Sequence, residues 1–489
     1  MTRTIPGAAQ FASTRVAVLG LGVSGRACLD ALTQHTQAIL SAWDGKAGAR
    51  EPYSHLDGAA EPDPVALCES LLAWRPDLVI IAPGFRQVGP EWQALAAAGV
   101  PVWSEIELAW HLRAANDGVF APWLCITGTN GKTTTVTMTE AILRASGLRA
   151  LAVGNVGTPA VTAVSDTSDD APEAFAFELS SFQLSATYSM EPTAAVCLNI
   201  ADDHLEWHGN FEEYRKAKAR IYTHARVACL YPVGDATVQG MVDDADVMEG
   251  ARAIGLSMGV PSVGQLGFVD AQAVDRAFIP GRHTHAEALF EVADIAHLAP
   301  EGAALPVHIA KDALAAAALA RSVGVTPEAV RTGLRGFEGG HHRIETVAHV
   351  DGVSYVDDSK ATNAHAAEAS VRALENAVWI VGGLAKGVRF EQLVGKVKDH
   401  LRAVVVIGRD QEPWRSALAG LDSPVHYVAP DSTTPMEDAV TAAAAFAIPG
   451  DTVILAPACA SQDQFISYAE RGQKFAAAVA RLDGHDGDA

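Results

Sequence analysis

WLCITGTNGKTTT (residues 123–135) is the stretch that decides how this chain folds. The apolar WLCIT (123–127) reads as a strand, GTNG (128–131) as a tight turn, and the residues from Lys132 onward as a helix. A strand, a Gly-rich turn and a helix in that order let backbone N–H groups and the positive end of a helix surround a phosphate. Lys132 is placed to reach the terminal phosphates and Thr133 to hold Mg²⁺, while Gly128, Thr129, Asn130, Gly131 and Thr134 complete the cradle. An ordinary Walker loop has Gly five residues before Gly131; this chain has Ile126 there, so TGTNGKT is a compressed and more specific form.

On the N-terminal side, RVAVLGLG (15–22), AILSAWD (38–44), DLVIIAPG (77–84) and PVWS (101–104) read as strands alternating with helices, one of them around Val65 to Trp74. The polar HLRAANDG (111–118) closes this segment. On the C-terminal side, FAFELS (175–180), AAVCLNI (194–200) and VACLY (227–231) continue the central unit. From 234 to 306 the pattern weakens, and irregular strands and loops are expected. Two helices follow, over 311–324 and from Pro327 to about Phe337 with Thr326 as N-cap. After Gly339 and Gly340, VSYVDDS, AVWIVGG, AVVVIG and TVILAPA alternate with Ala-rich helices, and the terminal GHDGDA (484–489) is expected to fray. The alternation predicts an α/β protein of three units in series.

Length agrees, since 489 residues is about three ordinary domains. Lys plus Arg number 36 against 58 Asp plus Glu, a net charge of −22 that disfavours general affinity for nucleic acid or anionic lipid. Anionic ligands therefore need local positive sites. No apolar run reaches the about 18 residues of a membrane span, and MTRTIPGAAQFAS lacks the apolar centre of a signal peptide. A cytoplasmic monomer without membrane insertion is the expectation. The six cysteines form no CxxC pair and read as buried reduced thiols.

GLGVSG (20–25) follows a strand, and Asp44 ends the next one, which is a dinucleotide fingerprint in outline. A nicotinamide dinucleotide or a uridine diphosphate would suit it equally, and the nearby ATP loop argues against a dehydrogenase. Glu178, Asp203 and His204 fall just beyond strands, on the side where open α/β sheets bind ligands. FEEYRKAKARIYTHA (211–225) reads as an amphipathic helix with Lys216, Lys218 and Arg220 as solvated cations. In the third unit DDSKATN (357–363), GGLAKG (382–387) and PACASQDQF (457–465) each follow a strand. They present Ser359, Lys360, Lys386 and Ser461 toward one face, a set suited to a carboxylate or phosphate.

GTNGKTT, ELSSFQL, the DDH segment, YRKAKARIY, HHRIE, DDSKATN and PACASQDQF, in this order from Gly20 to Phe475, resemble the Mur ligase family. ELSSFQL, DSKATN and PACASxDQF resemble its D-glutamate-adding branch. The resemblance implies a Rossmann-like UDP-binding domain (1–118), a central P-loop ATPase-type domain (119–338) and a Rossmann-like amino-acid-binding domain (339–489). It further implies an ATP-dependent ligase of peptidoglycan synthesis that joins D-glutamate (D-Glu) to UDP-N-acetylmuramoyl-L-alanine (UDP-MurNAc-L-Ala) through an acyl phosphate and a tetrahedral intermediate.

By motif position, the resemblance implies that Lys132, Glu178, His204 and Lys218 are catalytic, with Thr133, Glu178, His204 and Lys218 serving two Mg²⁺ ions. Lys218 would be carbamylated, reversing its local reading as surface charge. Arg343 and Asp358, with His342, would meet ATP; Val23, Ser24 and Asp44 the UDP; Asn155 and Ser180 the muramoyl-alanine part. Lys360, Thr362, Lys386, Ser461 and Phe465 would frame D-Glu. His308, Ile309 and Asp312 depart from the family's usual His-Asn and second Asn, which bears on adenine recognition. The competing expectations are a sister Mur ligase adding another amino acid, a nicotinamide-dependent oxidoreductase and a non-catalytic nucleotide-binding regulator.

Overall fold

The computed structural model describes residues 3–299 and 304–483, so the expected fraying of 484–489 lies outside the described residues. β1 (Arg15–Leu19), β2 (Ile39–Trp43), β3 (Leu78–Ile81) and β4 (Val102–Trp103) form a parallel sheet in the order β2-β1-β3-β4. Residues 16–19 and 78–81 are all buried, as in a sheet covered on both faces, which is why these runs read as continuously apolar. The polar break at 111–118 turns out to contain a hairpin. Ala115–Asn116 pairs with Val119–Phe120 and with Arg3–Thr4, and Asp117 (φ 47°) and Gly118 (φ 82°) supply the two positive φ angles of a tight turn.

The central sheet contains β5 (Trp123–Thr127), β6 (Ala150–Gly154), β7 (Ala174–Glu178), β8 (Ala194–Cys197), β9 (Ala228–Pro232), β10 (Arg252–Leu256), β11 (Gln265–Val269), β12 (Gln272–Asp275) and β13 (Glu287–Glu291). Their order is β13-β12-β11-β10-β9-β8-β5-β7-β6, with β12 alone running against the others. β5 lies between β7 and β8, so the chain leaves β5 toward one edge and later returns to its other side. That reversal opens a ligand crevice at the carboxyl end of β5.

The region 234–306, expected to be irregular, holds the helix Ala236–Asp243 and β10 to β13. Its strands are short and interrupted by Gly255 and Gly267, which hides the period-2 pattern. The helix expected over 311–324 spans Val307–Ser322, and Ala313 to Ala320 are all buried. The helix Pro327–Arg335 starts where expected, with Thr326 accepting from the Ala329 N–H.

β14 (Glu345–Val350), β15 (Val353–Asp357), β16 (Ala377–Gly382), β17 (Leu401–Ile407), β18 (Val425–Tyr427) and β19 (Thr452–Leu455) form the last sheet. Its order is β14-β15-β19-β16-β17-β18, parallel except for β14 at one edge. The adjacent strands β15, β19 and β16 therefore end side by side.

The chain divides into two compact units, residues 1–291 with 311–336, and residues 292–310 with 337–489. The first unit holds the four-stranded and nine-stranded sheets together because their cores merge. One apolar cluster runs from Val16, Val18 and Leu29 through Ile106, Leu108 and Leu112 to Trp123, Phe175 and Phe177. All six cysteines are buried and unbridged. No described helix is long and apolar enough to cross a membrane.

Candidate functional site

At the end of β5 the chain enters Gly128 (φ 153°) and leaves through Gly131 (φ 84°), which caps the helix Lys132–Ala145. A Cβ on Gly131 would lie 2.5 Å from Asp312 Oδ1, so both the backbone angle and the space demand glycine. Asn199, just beyond β8, fixes the loop from the side: its carbonyl oxygen accepts from Thr129 N–H at 3.0 Å, its Oδ1 accepts from Asn130 N–H at 2.9 Å, and its Nδ2 donates to Asn130 O at 3.1 Å. Lys132 Nζ donates to Gly128 O and Thr129 O, both at 2.9 Å.

Glu178 ends β7 beside the loop and is 2 % exposed. It accepts from Thr133 Oγ1 at 2.6 Å and from Asn155 Nδ2 at 2.9 Å. A hydroxyl and a carboxylate thus converge at the N-terminus of the phosphate-loop helix, hard oxygen donors that fit Mg²⁺. Ser180 is committed to a capping box with Gln183 at the start of the helix Ser181–Leu184.

Lys218 lies in the helix Phe211–Ala219 and is 2 % exposed. Its Nζ donates to Gly128 O at 2.8 Å and to Thr127 Oγ1 at 3.1 Å, on the back of the phosphate loop. Burial, followed by repulsion from Lys132, lowers its pKa from 10.5 to about 7. An ammonium there cannot ligate a metal, whereas a carbamate on the same nitrogen could. Tyr214, one turn earlier, shares a hydrogen bond of 3.0 Å with Thr129 Oγ1.

His204 adopts a left-handed φ of 53° and is partly exposed beside Asp203, with its ring edge on Phe182 at 4.8 Å. His208 is buried; its Nε2 and Ser181 Oγ are 2.9 Å apart, and its Nδ1 and Gln87 Oε1 3.3 Å. Burial, then the neighbouring His204, push its pKa down to about 4, so it is neutral at pH 7. The Trp207 indole donates to Pro83 O at 3.2 Å. Through Gln87 and Pro83 the segment 204–208 is tied to the loop after β3.

In the first sheet, Asp44 accepts from Leu21 N–H at 2.7 Å and from Lys46 N–H at 2.8 Å, joining the loops after β1 and β2. Val23 is exposed and Ser24 half-buried at the start of the helix Val23–His35. A Cβ on Gly25 would lie 1.8 Å from Gly20 O, which accounts for the last glycine of GLGVSG.

In the second unit, the loops after β15, β16 and β19 are laced together. Ala458 N–H donates to Ala361 O at 2.9 Å, and Leu384 N–H to Ala460 O at 2.8 Å. Lys360 Nζ sits 3.8 Å from the centre of the Tyr468 ring. Thr362 is half-buried, and Lys386 is exposed with φ 50°. Ser461 is 1 % exposed, and its buried hydroxyl oxygen has no hydrogen-bond partner among the described residues. His342 Nδ1 faces Asp357 Oδ2 at 2.6 Å. Asp358 is buried and accepts from Ser370 Oγ; burial raises its pKa to about 7 against the pull of Ser370 and Arg343.

The family model of the Mur ligase middle domain matches residues 126–247, and that of the Mur ligase glutamate ligase domain matches residues 342–459. A relative from Streptomyces coelicolor, named UDP-N-acetylmuramoylalanine–D-glutamate ligase, is 46% identical over 97% of this chain and 99% of its own. A relative of the same name from Streptomyces avermitilis is 50% identical over 83% of this chain and 85% of its own. The chain belongs to the Mur ligase family. The solved MurF ligase of Thermotoga maritima, in complex with ADP, shares the fold at 14% identity, with a TM-score of 0.56 over 98% of this chain and 96% of that one.

Within this Mur ligase, several side chains stand differently from their sequence reading. Lys218 is buried, not solvated, while Lys216 on the same helix is exposed. Helical periodicity counts a charged residue as outward facing, and only the site above the helix explains a buried one. Phe465 is 6 % exposed and packs in a core with Val453, Leu455 and Phe475; the aromatic against Lys360 is Tyr468. Asp358 is likewise enclosed. Asn199, Tyr214, His208 and Tyr468 were missed by the sequence reading. Asn199 alone carried a signal, as a polar residue directly after an apolar strand end.

Proposed function

We propose that this Mur ligase uses ATP to join D-glutamate to the L-alanyl carboxylate of UDP-MurNAc-L-Ala. The carrying observation is the convergence of Lys132, Thr133 and Glu178 at a helix N-terminus in the crevice beside β5, with Lys218 buried behind the loop. The substrates are read from the names of relatives about half identical over most of the chain. The three larger sheets correspond, in this reading, to domains 1–118, 119–338 and 339–489 of a monomeric cytoplasmic enzyme.

A carboxylate is a poor acyl donor because its leaving group would be oxide. Attack of the alanyl carboxylate on the γ-phosphorus of ATP, with ADP leaving, gives an acyl phosphate. The neutral D-Glu amine then adds to its carbonyl, and the tetrahedral adduct expels phosphate to leave the amide. Lys132 and the helix N-terminus spread charge on the transferring phosphoryl group. Asn155 orients the Glu178 carboxylate.

Thr133 and Glu178 would hold one Mg²⁺, and His204 with carbamylated Lys218 a second, and such ions would supply neutralising charge for the phosphates. Carbamylation needs a neutral amine, which adds to CO₂ and loses one proton. With a pKa of about 7, about half of Lys218 is neutral at pH 7, against roughly 0.03% at the ordinary value. Val23, Ser24 and Asp44 would face the UDP, Asn155 and Ser180 the muramoyl-alanine part, Arg343 the nucleotide, with the enclosed Asp358 acting on that arginine through its charge, and Lys360, Thr362, Lys386 and Ser461 the amino acid.

Phosphate release from ATP is the test. It should require UDP-MurNAc-L-Ala and D-glutamate together; stimulation by L-amino acids alone refutes the substrate assignment.

A further inference from the structure

Arg471 belongs to the helix Tyr468–Asp483 and is 0 % exposed, beneath the place where the loops after β15, β19 and β16 meet. Its Nε donates to Ser359 Oγ at 2.9 Å, its Nη2 to Ser359 O at 2.8 Å and its Nη1 to Cys459 O at 3.1 Å. The third loop passes close by, since a Cβ on Gly383 would lie 3.3 Å from Nη1. One guanidinium therefore bonds the chain beside Lys360 and near Ser461, and lies next to the loop that carries Lys386.

Its partners are unusual for a buried cation. All three acceptor atoms are neutral, and among the described residues Arg471 forms no ion pair. Asp357 and Asp463 act on it only through space. Burial lowers its pKa to about 10, which still leaves it charged at pH 7. A buried charge without a counter-ion costs several kcal/mol, and a pure spacer could be built from neutral groups. The arrangement makes sense if the missing negative charge arrives from outside. A dicarboxylate bound by the three loops above would bring it.

We propose that Arg471 is a positioning residue for the amino-acid substrate: its fork sets the spacing of the three loops, and its charge, which no described carboxylate contacts directly, favours an anionic side chain among them. The proposal rests on the assignment of these loops to the amino acid. Its role is confined to the second unit and concerns neither ATP nor the UDP-linked substrate.

The experiment compares Arg471→Lys, Arg471→Met and Ser359→Ala in the full chain, with KM determined separately for ATP, UDP-MurNAc-L-Ala and D-glutamate. Arg471→Lys keeps the charge and loses the fork, and should raise the KM for D-glutamate about 10-fold, Arg471→Met by about 100-fold or more. The other two KM values should stay within about twofold. Ser359→Ala removes one acceptor and should give a smaller rise of the same selectivity, which carries the test if both arginine variants fail to fold. A folded variant with unchanged KM for D-glutamate, or equal rises for all three substrates, overturns the proposal. A wild-type enzyme that ignores D-glutamate overturns the substrate assignment instead, and the same variants are then read against the amino acid it does use.

Discussion

Replacing Lys218 by Met should make the protein more stable and at the same time inactive. In CO₂-free buffer the buried amine carries its full penalty below pH 7, where it is protonated in both folded and unfolded chains. The gap between 10.5 and about 7 corresponds to about 5 kcal/mol. Met has similar length and no charge, so the variant escapes that penalty. It loses the hydrogen bonds to Gly128 O and Thr127 Oγ1, about 1 kcal/mol each. A net gain of roughly 2–3 kcal/mol at pH 6 remains.

The sign of the pH dependence follows from the lowered folded-state pKa. Between pH 7 and 10.5 the unfolded chain binds more protons at this site, so the wild type recovers stability as pH rises and the advantage of the variant shrinks. Urea denaturation of both proteins at pH 6, 7.5 and 9 measures this, and phosphate release measures turnover. Added bicarbonate should narrow the gap at pH 7.5 by modifying the wild type only, and small carboxylic acids should restore some activity to Lys218→Ala. Equal stabilities at pH 6, a gap that does not change with pH, or an active Lys218→Met would each refute the reasoning.

Glu178→Gln keeps the hydrogen bond to Thr133 but removes the charge, and should weaken apparent Mg²⁺ affinity by about 10-fold or more in a magnesium titration of turnover. Gly131→Ala forces a side chain into φ 84° against Asp312, and should cost about 1–3 kcal/mol and most ATP binding, as calorimetry with ATP would show. His208→Phe leaves the Ser181 hydroxyl and Gln87 without their ring partner, and should destabilise the protein by about 1–3 kcal/mol. Because the imidazole titrates at about 6.5 in the unfolded chain and at about 4 in the folded one, the wild type itself loses stability below pH 7, so the loss should be full at pH 8 and about 0.8 kcal/mol smaller at pH 6 in thermal unfolding.

The strands that end in motifs were legible because each is buried on both faces and reads as an unbroken apolar run, as in Val16 to Leu19 and Trp123 to Thr127. The Gly-rich loop was legible because positive φ angles and a close neighbour permit few residues there. What could not be read was contact across sequence distance. Lys218 and Lys216 look alike on one helix, and only the presence of Gly128 at 2.8 Å separates them. Phe465 and Tyr468 are three residues apart, yet one fills the core and the other meets Lys360. Arg471 looked like one more surface arginine until Ser359 and Cys459, each over a hundred or about ten residues away in sequence, were seen to converge on it.

The apolar cluster that runs from Val16 through Ile106 to Phe177 has a consequence for any attempt to dissect the chain. A fragment cut at the Asp117–Gly118 turn would carry Ile106, Leu108 and Leu112 stripped of the cover that Trp123, Phe175 and Phe177 give, and would tend to aggregate. In the proposed assignment, recognition of the nucleotide-sugar and handling of ATP are therefore not interchangeable modules. A chimera that swaps the first without the second would have to rebuild a shared interior, whereas residues 337–489 have an interior of their own and offer the natural point of exchange.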